Sequence, residues 1–178
     1  MKKYIILTCL IIFSMLLSQA QEIVFPAIQG YGGVIPVPFE TEKPDATKQY
    51  KFVIEIGNRL KDKNIVADNL DYVARMYNLH RYAGIQKENI EIAIVIYSGS
   101  TSAVLTNLTY DKRFSQENPN GALLDEFLRN GIQVFVCGQS MMKQNLVPAD
   151  IYPGVRLAMS RFTATTDLIE KGYRLIVL

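Results

Sequence analysis

Cys137 is the residue of this sequence with the most distinctive chemistry. It ends the apolar run "GIQVFVC" (131–137), and Gly138, Gln139 and Ser140 follow it directly. A thiol at the start of a helix lies close to unsatisfied backbone N–H groups, which favour the nucleophilic thiolate form. Free cysteine is also among the residue types most often buried, so the run equally fits a small core residue. The position alone leaves a reactive thiol and a packing role open.

A second candidate group, Tyr97, Ser98 and Gly99, lies at the end of the apolar, β-branched run "IEIAIVIYSG" (90–99). A run of this kind is typical of a strand that is covered on both faces. In open parallel sheets the ligand crevice lies at the carboxyl ends of the strands. The sequence therefore predicts that these residues, like Cys137, belong to the edge of the sheet where ligands bind.

Strand and helix patterns alternate along residues 50–178. The sequence predicts strands over 51–56, 90–99, 132–137, 155–159 and 173–178, and helices over 69–84, 101–108, 121–131, 139–145 and 163–172. Asp68 and Asn120 are the predicted caps of the first and third helices, and residues 109–120 are predicted to be a polar loop. The alternation implies right-handed crossovers and a mostly parallel sheet between helical layers. We expect an α/β three-layer sandwich of about five strands with flavodoxin-like architecture.

Residues 21–49 precede this body as a segment without regular periodicity. Four of the seven prolines lie between residues 22 and 50, together with Gly30, Gly32 and Gly33. This composition indicates an extended arm and not a helix or a central strand. The apolar content of the arm is too high for a solvated linker, so we expect it to pack on its own domain or on a neighbouring subunit.

Residues 1–20 have the pattern of a secretory signal peptide. Lys2 and Lys3 precede an apolar stretch over residues 4–17, and Ser-Gln-Ala follows with small residues at the positions that signal peptidase reads. We expect cleavage before Gln21, export to the periplasm because the signal looks bacterial, and no membrane association afterwards. An uncleaved anchor is the alternative, but the apolar stretch is short for a bilayer span.

Removal of the signal makes the remaining 158 residues electrically balanced. The full chain has 19 Lys and Arg against 17 Asp and Glu, and the loss of Lys2 and Lys3 leaves 17 of each. No run of basic residues is longer than a pair, so the sequence shows no basic cluster of the kind that binds nucleic acid or an anionic membrane. The length is that of one domain with a substantial core.

Cys137 remains as a single thiol after cleavage, because the other cysteine, Cys9, lies in the signal. An internal disulfide is therefore excluded. The single histidine, His80, together with one cysteine makes no convincing metal site, and we expect no metal and no cofactor. A Ser-His-acid set, a dinucleotide fingerprint and a Cys-x-x-Cys pair are all missing from the sequence, which leaves hydrolase and oxidoreductase functions without support.

Residues 131–140, "GIQVFVCGQS", resemble the cysteine segment of the DsrE/DsrF-like family of sulfur-relay and intracellular sulfur-oxidation proteins, in which a helix follows a strand that ends in Cys-Gly. The resemblance extends over residues 50–178. "IVIYSGSTSAVLTN" is similar to the family's strand, Gly turn and short helix, and "DIYPGVRLAMSRFTATTDLIEKGYRLIVL" to its closing strand, helix and final strand. "GYGGVIPVPF" resembles the arm of exported members. Many relatives have a His-Gly pair where this chain has Ser98 and Gly99.

The resemblance implies a DsrE/F-like sandwich that assembles into homo-oligomers, trimers or multiples of them. In sulfur-transfer members the matching cysteine accepts sulfane sulfur as a persulfide from a donor, a protein or a small sulfur compound, and hands it on. That role would fall on Cys137. Gly138 would let the backbone or a donor come close, and Gln139 and Ser140 would offer hydrogen-bond donors to the persulfide anion.

A non-catalytic envelope module is the competing hypothesis. Such an oligomer would bind a small ligand or a protein partner at the strand-end crevice or through the arm. The two hypotheses differ in what they require of Cys137: an accessible thiol of low pKa supports sulfur chemistry, and a buried thiol of high pKa supports the binding module.

Overall fold

The computed structural model describes residues 22–178, so the expected signal peptide over 1–20 lies outside the described residues. The five strands are β1 (Tyr50–Ile56), β2 (Ile90–Ile96), β3 (Gln133–Cys137), β4 (Arg156–Ala158) and β5 (Arg174–Ile176). The α-helices of the described part are α1 (Asp68–Tyr82), α2 (Asn107–Phe114), α3 (Gly121–Arg129), α4 (Gly138–Lys143) and α5 (Arg161–Glu170). Short 3-10 helices cover Lys87–Asn89, Ser98–Val104 and Pro148–Asp150.

All five strands are parallel and lie in the order β4-β3-β2-β1-β5. The central strand β2 is the most apolar run of the sequence, and six of its seven residues are buried. The edge strands β4 and β5 have three residues each and are largely exposed. The predicted α/β fold with about five strands is confirmed, and the sheet is entirely parallel.

The order of the strands places helices on both faces of the sheet. From β1 to β4 the chain crosses from one strand to the next in one direction, and α1 and α3 pack against the apolar side chains of one face. The chain then returns from β4 to β5 across the whole sheet. A right-handed connection in the opposite direction must lie on the opposite face, and α5 accordingly packs over Val53, Ala93 and Val95. No helix of residues 22–178 is long and apolar enough to cross a membrane.

The segment between β2 and α3 differs from the prediction. Residues 101–108 were expected to be a helix and 109–120 a loop, but a 3-10 helix covers Ser98–Val104 and α2 covers Asn107–Phe114. The physical reason is the cap at Thr106, whose hydroxyl oxygen accepts the Thr109 N–H at 3.2 Å. The polar residues that follow Thr106 form a helix, most of whose residues are exposed.

The predicted caps Asp68 and Asn120 do not cap with their side chains. The cap position of α1 is Ala67, whose backbone N–H donates to the Asn120 Oδ1 at 2.8 Å. The Asn120 amide also donates to Asn118 Oδ1 at 2.9 Å. Asn120 is fully buried, and its side chain connects the start of α1 to the start of α3 instead of capping its own helix.

Residues 24–34 pack in cis on α1. The side chain of the fully buried Asn78 accepts the N–H groups of Ala27 and Ile28 at 3.1 and 2.8 Å and donates to the carbonyls of Ile28, Tyr31 and Gly32. Gly32 has a φ of +59°, and a Cβ there would lie 2.1 Å from the backbone nitrogen of Arg75. Glycine therefore allows this turn to lie directly on the helix. Residues 37–49 are exposed.

Candidate functional site

Cys137 lies at the point where the connections after neighbouring strands go to opposite faces of the sheet. After β3 the chain enters α4, which buries Met141 in the core of the α1 and α3 face. After β4, the neighbour of β3, the chain enters α5 on the other face. A crevice opens between two strand ends that diverge in this way. Cys137, the last residue of β3, lies in that crevice.

Gly138 allows a close contact between the ends of β3 and β4. A Cβ at Gly138 would lie 2.9 Å from the carbonyl oxygen of Ala158 and 3.2 Å from that of Met159. The contact therefore requires glycine and brings the start of α5 next to Cys137. The sequence predicted a close approach at Gly138, and the group that approaches is the backbone of this chain.

The environment of the Cys137 thiol favours the thiolate. Burial alone would raise the pKa of the thiol, but hydrogen bonds from the Ser140 hydroxyl and from the backbone N–H groups of Ser140, Arg161 and Gln139 together hold the pKa below its ordinary value. These N–H groups come from the first turns of α4 and α5, where no carbonyl within the helix can accept them. Two helix starts thus act on one sulfur.

Ser140 connects the two strand ends that the sequence singled out. Its hydroxyl oxygen accepts the backbone N–H of Ser98 at 2.9 Å, and its proton is directed to the sulfur of Cys137. Ser98 has a φ of +50°. Its carbonyl oxygen accepts Thr101 Oγ1 at 2.9 Å and Gln144 Nε2 at 3.0 Å, which hold this conformation. The Ser98 N–H thus donates to the Ser140 hydroxyl, and this hydroxyl donates to the sulfur of Cys137. Consecutive hydrogen bonds of this kind polarise one another, so each of the two is stronger than it would be alone.

The cleft above Cys137 has a volume of about 650 Å³ and brings most of the predicted site residues together. Cys137 lies at its floor with 4% of its surface exposed. The other predicted residues on its wall are Tyr97, Ser98, Gly99, Gln139 and Ser140. Gly138 is the exception, because it lies behind the wall against the end of β4.

Arg161 also lines the cleft, and it was not among the site residues predicted from the sequence. Its guanidinium pairs with the Glu55 carboxylate at 2.9 Å and lies 4.4 Å from the centre of the Tyr97 ring. Thr165 donates to the same carboxylate at 2.6 Å. Cys137 was selected because ligands bind at the carboxyl ends of parallel strands, and Arg161 follows the carboxyl end of β4 in the same way. The sequence does not show, however, that β4 lies next to β3.

Four further basic residues line the cleft and were also missed. Arg59 follows β1, and the backbone around it lies so close to Gly99 that a Cβ at Gly99 would be 2.7 Å from the Arg59 Cα. Lys63 lies in the same connection between β1 and α1, and Arg113 and Lys143 come from α2 and α4. Arg113 is placed by α2, a helix that was predicted to be a loop. Spread over three segments, these residues form no basic run that the sequence could show.

A larger groove of about 950 Å³ lies between residues 34–44 and the end of α1. Its wall includes His80, whose Nδ1 is engaged with the Met76 carbonyl at 2.7 Å and whose ring packs on Tyr50 and Phe52. No thiol lines this groove. Within residues 22–178 no cluster of three or more His, Cys, Asp or Glu side chains is placed to hold a metal ion. The chemistry therefore points to the smaller cleft with Cys137.

The fold and the site define an α/β protein with a parallel sheet and one thiol in the crevice at its strand ends. The model of the DsrE/DsrF-like family matches residues 66–178, and the chain belongs to this family. At the level of the family, membership indicates a function of the sulfur-relay type.

A solved structure with the same fold is the protein of unknown function MTH1491 from Methanobacterium thermoautotrophicum. The TM-score is 0.53 at 15% identity, and the superposition covers 73% of this chain and 100% of that chain. A comparison with the curated proteins finds no match.

Proposed function

We propose that this protein carries sulfane sulfur on Cys137 as a persulfide and passes it to an acceptor. The observation that carries the proposal is the thiol itself: Cys137 lies at the floor of an open cleft, and donors from the starts of two helices lower its pKa. The same donors would stabilise the terminal sulfur of a persulfide, which is also an anion.

The matched position in relatives often has His-Gly, and here the residue is Ser98. In this chain the Ser98 N–H donates to the Ser140 hydroxyl, whose own hydrogen bond to Cys137 contributes to lowering the pKa of the thiol. In our proposal a hydrogen-bond chain takes the place of a base. The lower pKa leaves a larger fraction of the thiol ionised at a given pH, and the thiolate is the form that attacks.

We propose that the working protein is exported to the periplasm without residues 1–20 and assembles into trimers or multiples of them. The signal pattern supports export, and exposed apolar side chains support assembly. Mass spectrometry of protein from the periplasmic fraction checks the first part, with a chain that begins at Gln21 as the expected result. A chain that retains residues 1–20 in the membrane fraction would indicate an uncleaved anchor.

The direct test is the intact mass of the reduced protein after incubation with polysulfide. We expect a gain of one or more sulfur atoms that dithiothreitol removes, because the thiolate of Cys137 attacks sulfane sulfur. Cys137→Ser is the matched control, since it keeps the size of the side chain and removes the nucleophile. It should gain no sulfur.

The competing binding module has one observation in its favour, which is that Cys137 is only 4% exposed. The polysulfide test separates the two functions. A wild-type protein that gains no sulfur and whose thiol resists alkylation until the chain unfolds would exclude sulfur transfer and favour a non-catalytic oligomer.

A further inference from the structure

The wall of the Cys137 cleft carries charge of one sign. Five cationic side chains line it, and no Asp or Glu does. The five are Arg59, Lys63, Arg113, Lys143 and Arg161. Outside the signal the chain has equal numbers of basic and acidic residues. The positive charge at the cleft is therefore a local excess, and the compensating acidic residues lie elsewhere in the protein.

Four of these cations form no salt bridge in the described part of the chain, although the charge of Arg113 contributes to lowering the pKa of Asp150. Arg161 forms a salt bridge with Glu55, but none of the other four pairs with a carboxylate among residues 22–178. Two of them are still held in place. Arg113 donates to the Gln144 carbonyl at 2.8 Å, and the Lys63 ammonium lies 4.2 Å from the centre of the Phe114 ring. Positive charge that no salt bridge neutralises favours an anionic ligand in a cleft.

We propose that the sulfur donor of this site is a small sulfur oxyanion with a sulfane sulfur, of which thiosulfate is the simplest. This inference rests on the proposed function of Cys137 as a sulfur acceptor. The cationic wall would bind the sulfonate end, and the sulfane end would point to the floor of the cleft. Because Cys137 is 4% exposed beneath a cleft of about 650 Å³, a small donor reaches the sulfur more easily than the surface of a folded partner.

The transfer needs no oxidant. The thiolate sulfur of Cys137 attacks the sulfane sulfur of thiosulfate and forms a new S–S bond. The S–S bond within thiosulfate breaks, and its electron pair leaves with sulfite. Three negative charges enter the step, one on the thiolate and two on thiosulfate, and three leave it on the persulfide and sulfite. The cations reduce the repulsion between thiolate and donor, which otherwise opposes their approach.

The test compares a charged donor with an uncharged one. Wild-type protein, Arg59→Gln and Lys143→Gln are each incubated with thiosulfate and, separately, with dimethyl trisulfide. The readouts are the reducible sulfur adduct on Cys137 by intact mass and, for thiosulfate, the sulfite released. We expect each substitution to slow loading from thiosulfate by about fivefold and to change loading from the trisulfide less than twofold. Lys112→Gln is the matched control, since Lys112 neighbours Arg113 in α2 but does not line the cleft.

The outcomes separate this inference from the proposed function. Loading from the trisulfide but not from thiosulfate overturns the oxyanion donor and leaves Cys137 as an acceptor. The inference is also wrong if the variants slow both donors equally, or neither. Failure of both donors to load the wild type rejects the proposed function itself. If thiosulfate fails and an acidic hexapeptide protects Cys137 from iodoacetamide, the cations recognise a segment of a protein.

Discussion

At the scale of single residues, the hydroxyl of Ser140 is the side-chain donor that lowers the pKa of Cys137. Ser140→Ala removes this donor and leaves the Ser98 N–H without its acceptor. We expect the pH at which iodoacetamide alkylates Cys137 at half its maximal rate to rise, and the rate near neutral pH to fall roughly three- to tenfold, because less thiol is ionised. A pH profile of the alkylation rate measures both.

Ser102→Ala is the control for this substitution. Ser102 lines the same cleft, but its hydroxyl donates to the Gly99 carbonyl at 3.3 Å and contributes nothing to the pKa of Cys137. Its profile should match that of the wild type. Equal profiles for Ser140→Ala and the wild type would show that the backbone N–H groups alone set the pKa.

Gly138 supports a second prediction at this scale. A methyl group in Gly138→Ala meets the Ala158 and Met159 carbonyls, so the end of β4 must move and the Arg161 N–H with it. We expect the pKa of Cys137 to rise and the free energy of unfolding to fall by about 1–3 kcal/mol. Alkylation profiles and urea unfolding measure these changes. Gly121→Ala is the control, since its methyl would meet only ordinary contacts with Tyr152 at 3.4 Å or more. Unchanged values for Gly138→Ala would contradict the close contact.

At the scale of elements, one buried amide holds the N-terminal segment to α1. Asn78→Ala removes two acceptor contacts and three donor contacts to residues 27–32. We expect a loss of roughly 2–4 kcal/mol in unfolding free energy and faster proteolysis before residue 34, because these backbone groups lose their partner. Asn69→Ala in the first turn of α1 is the control. Equal proteolysis of Asn78→Ala and the wild type would mean that other contacts hold the segment.

Apolar runs and strand ends were enough to predict most elements and the position of Cys137. The run that became β2 is uniformly apolar, and "VFVC" before Gly138 marks the end of β3. The α2 helix was missed because its exposed surface makes its sequence as polar as a loop, and the cap at Thr106 was not recognised. Local pattern thus predicted buried elements better than exposed ones.

At the scale of the whole molecule, we expect an oligomer. The described surface exposes large apolar side chains that a contact between subunits would bury, among them Phe162 at 65%, Met159 at 77% and Val177 at 86%. Light scattering after size exclusion should give a trimer or a multiple of it. Cys137→Ser should give the same mass, because a contact through apolar surfaces needs no intermolecular disulfide. A monomer at tens of micromolar would contradict this.

The cationic wall of the cleft depends on the order of the strands, which the sequence does not state. Arg59, Arg113 and Arg161 lie far apart along the chain and meet only because β1 to β4 are neighbours in one parallel sheet. The composition shows no net positive charge outside the signal, because Asp and Glu residues in other parts of the chain balance these basic residues. The thiol could be found from a local pattern, and its charged surroundings could not.

The short edge strand β4 gives the thiol a dynamic property. Only three residues of β4 pair with β3, so this edge has few hydrogen bonds to lose when it frays, and its amides should exchange early with solvent deuterium. Each local opening withdraws the Arg161 N–H from the sulfur and restores a more ordinary thiol. The fraction of Cys137 that is ionised therefore depends on the fraction of molecules in which β4 is paired with β3. The rate of reaction with a thiol reagent would then report local unfolding at this edge of the sheet.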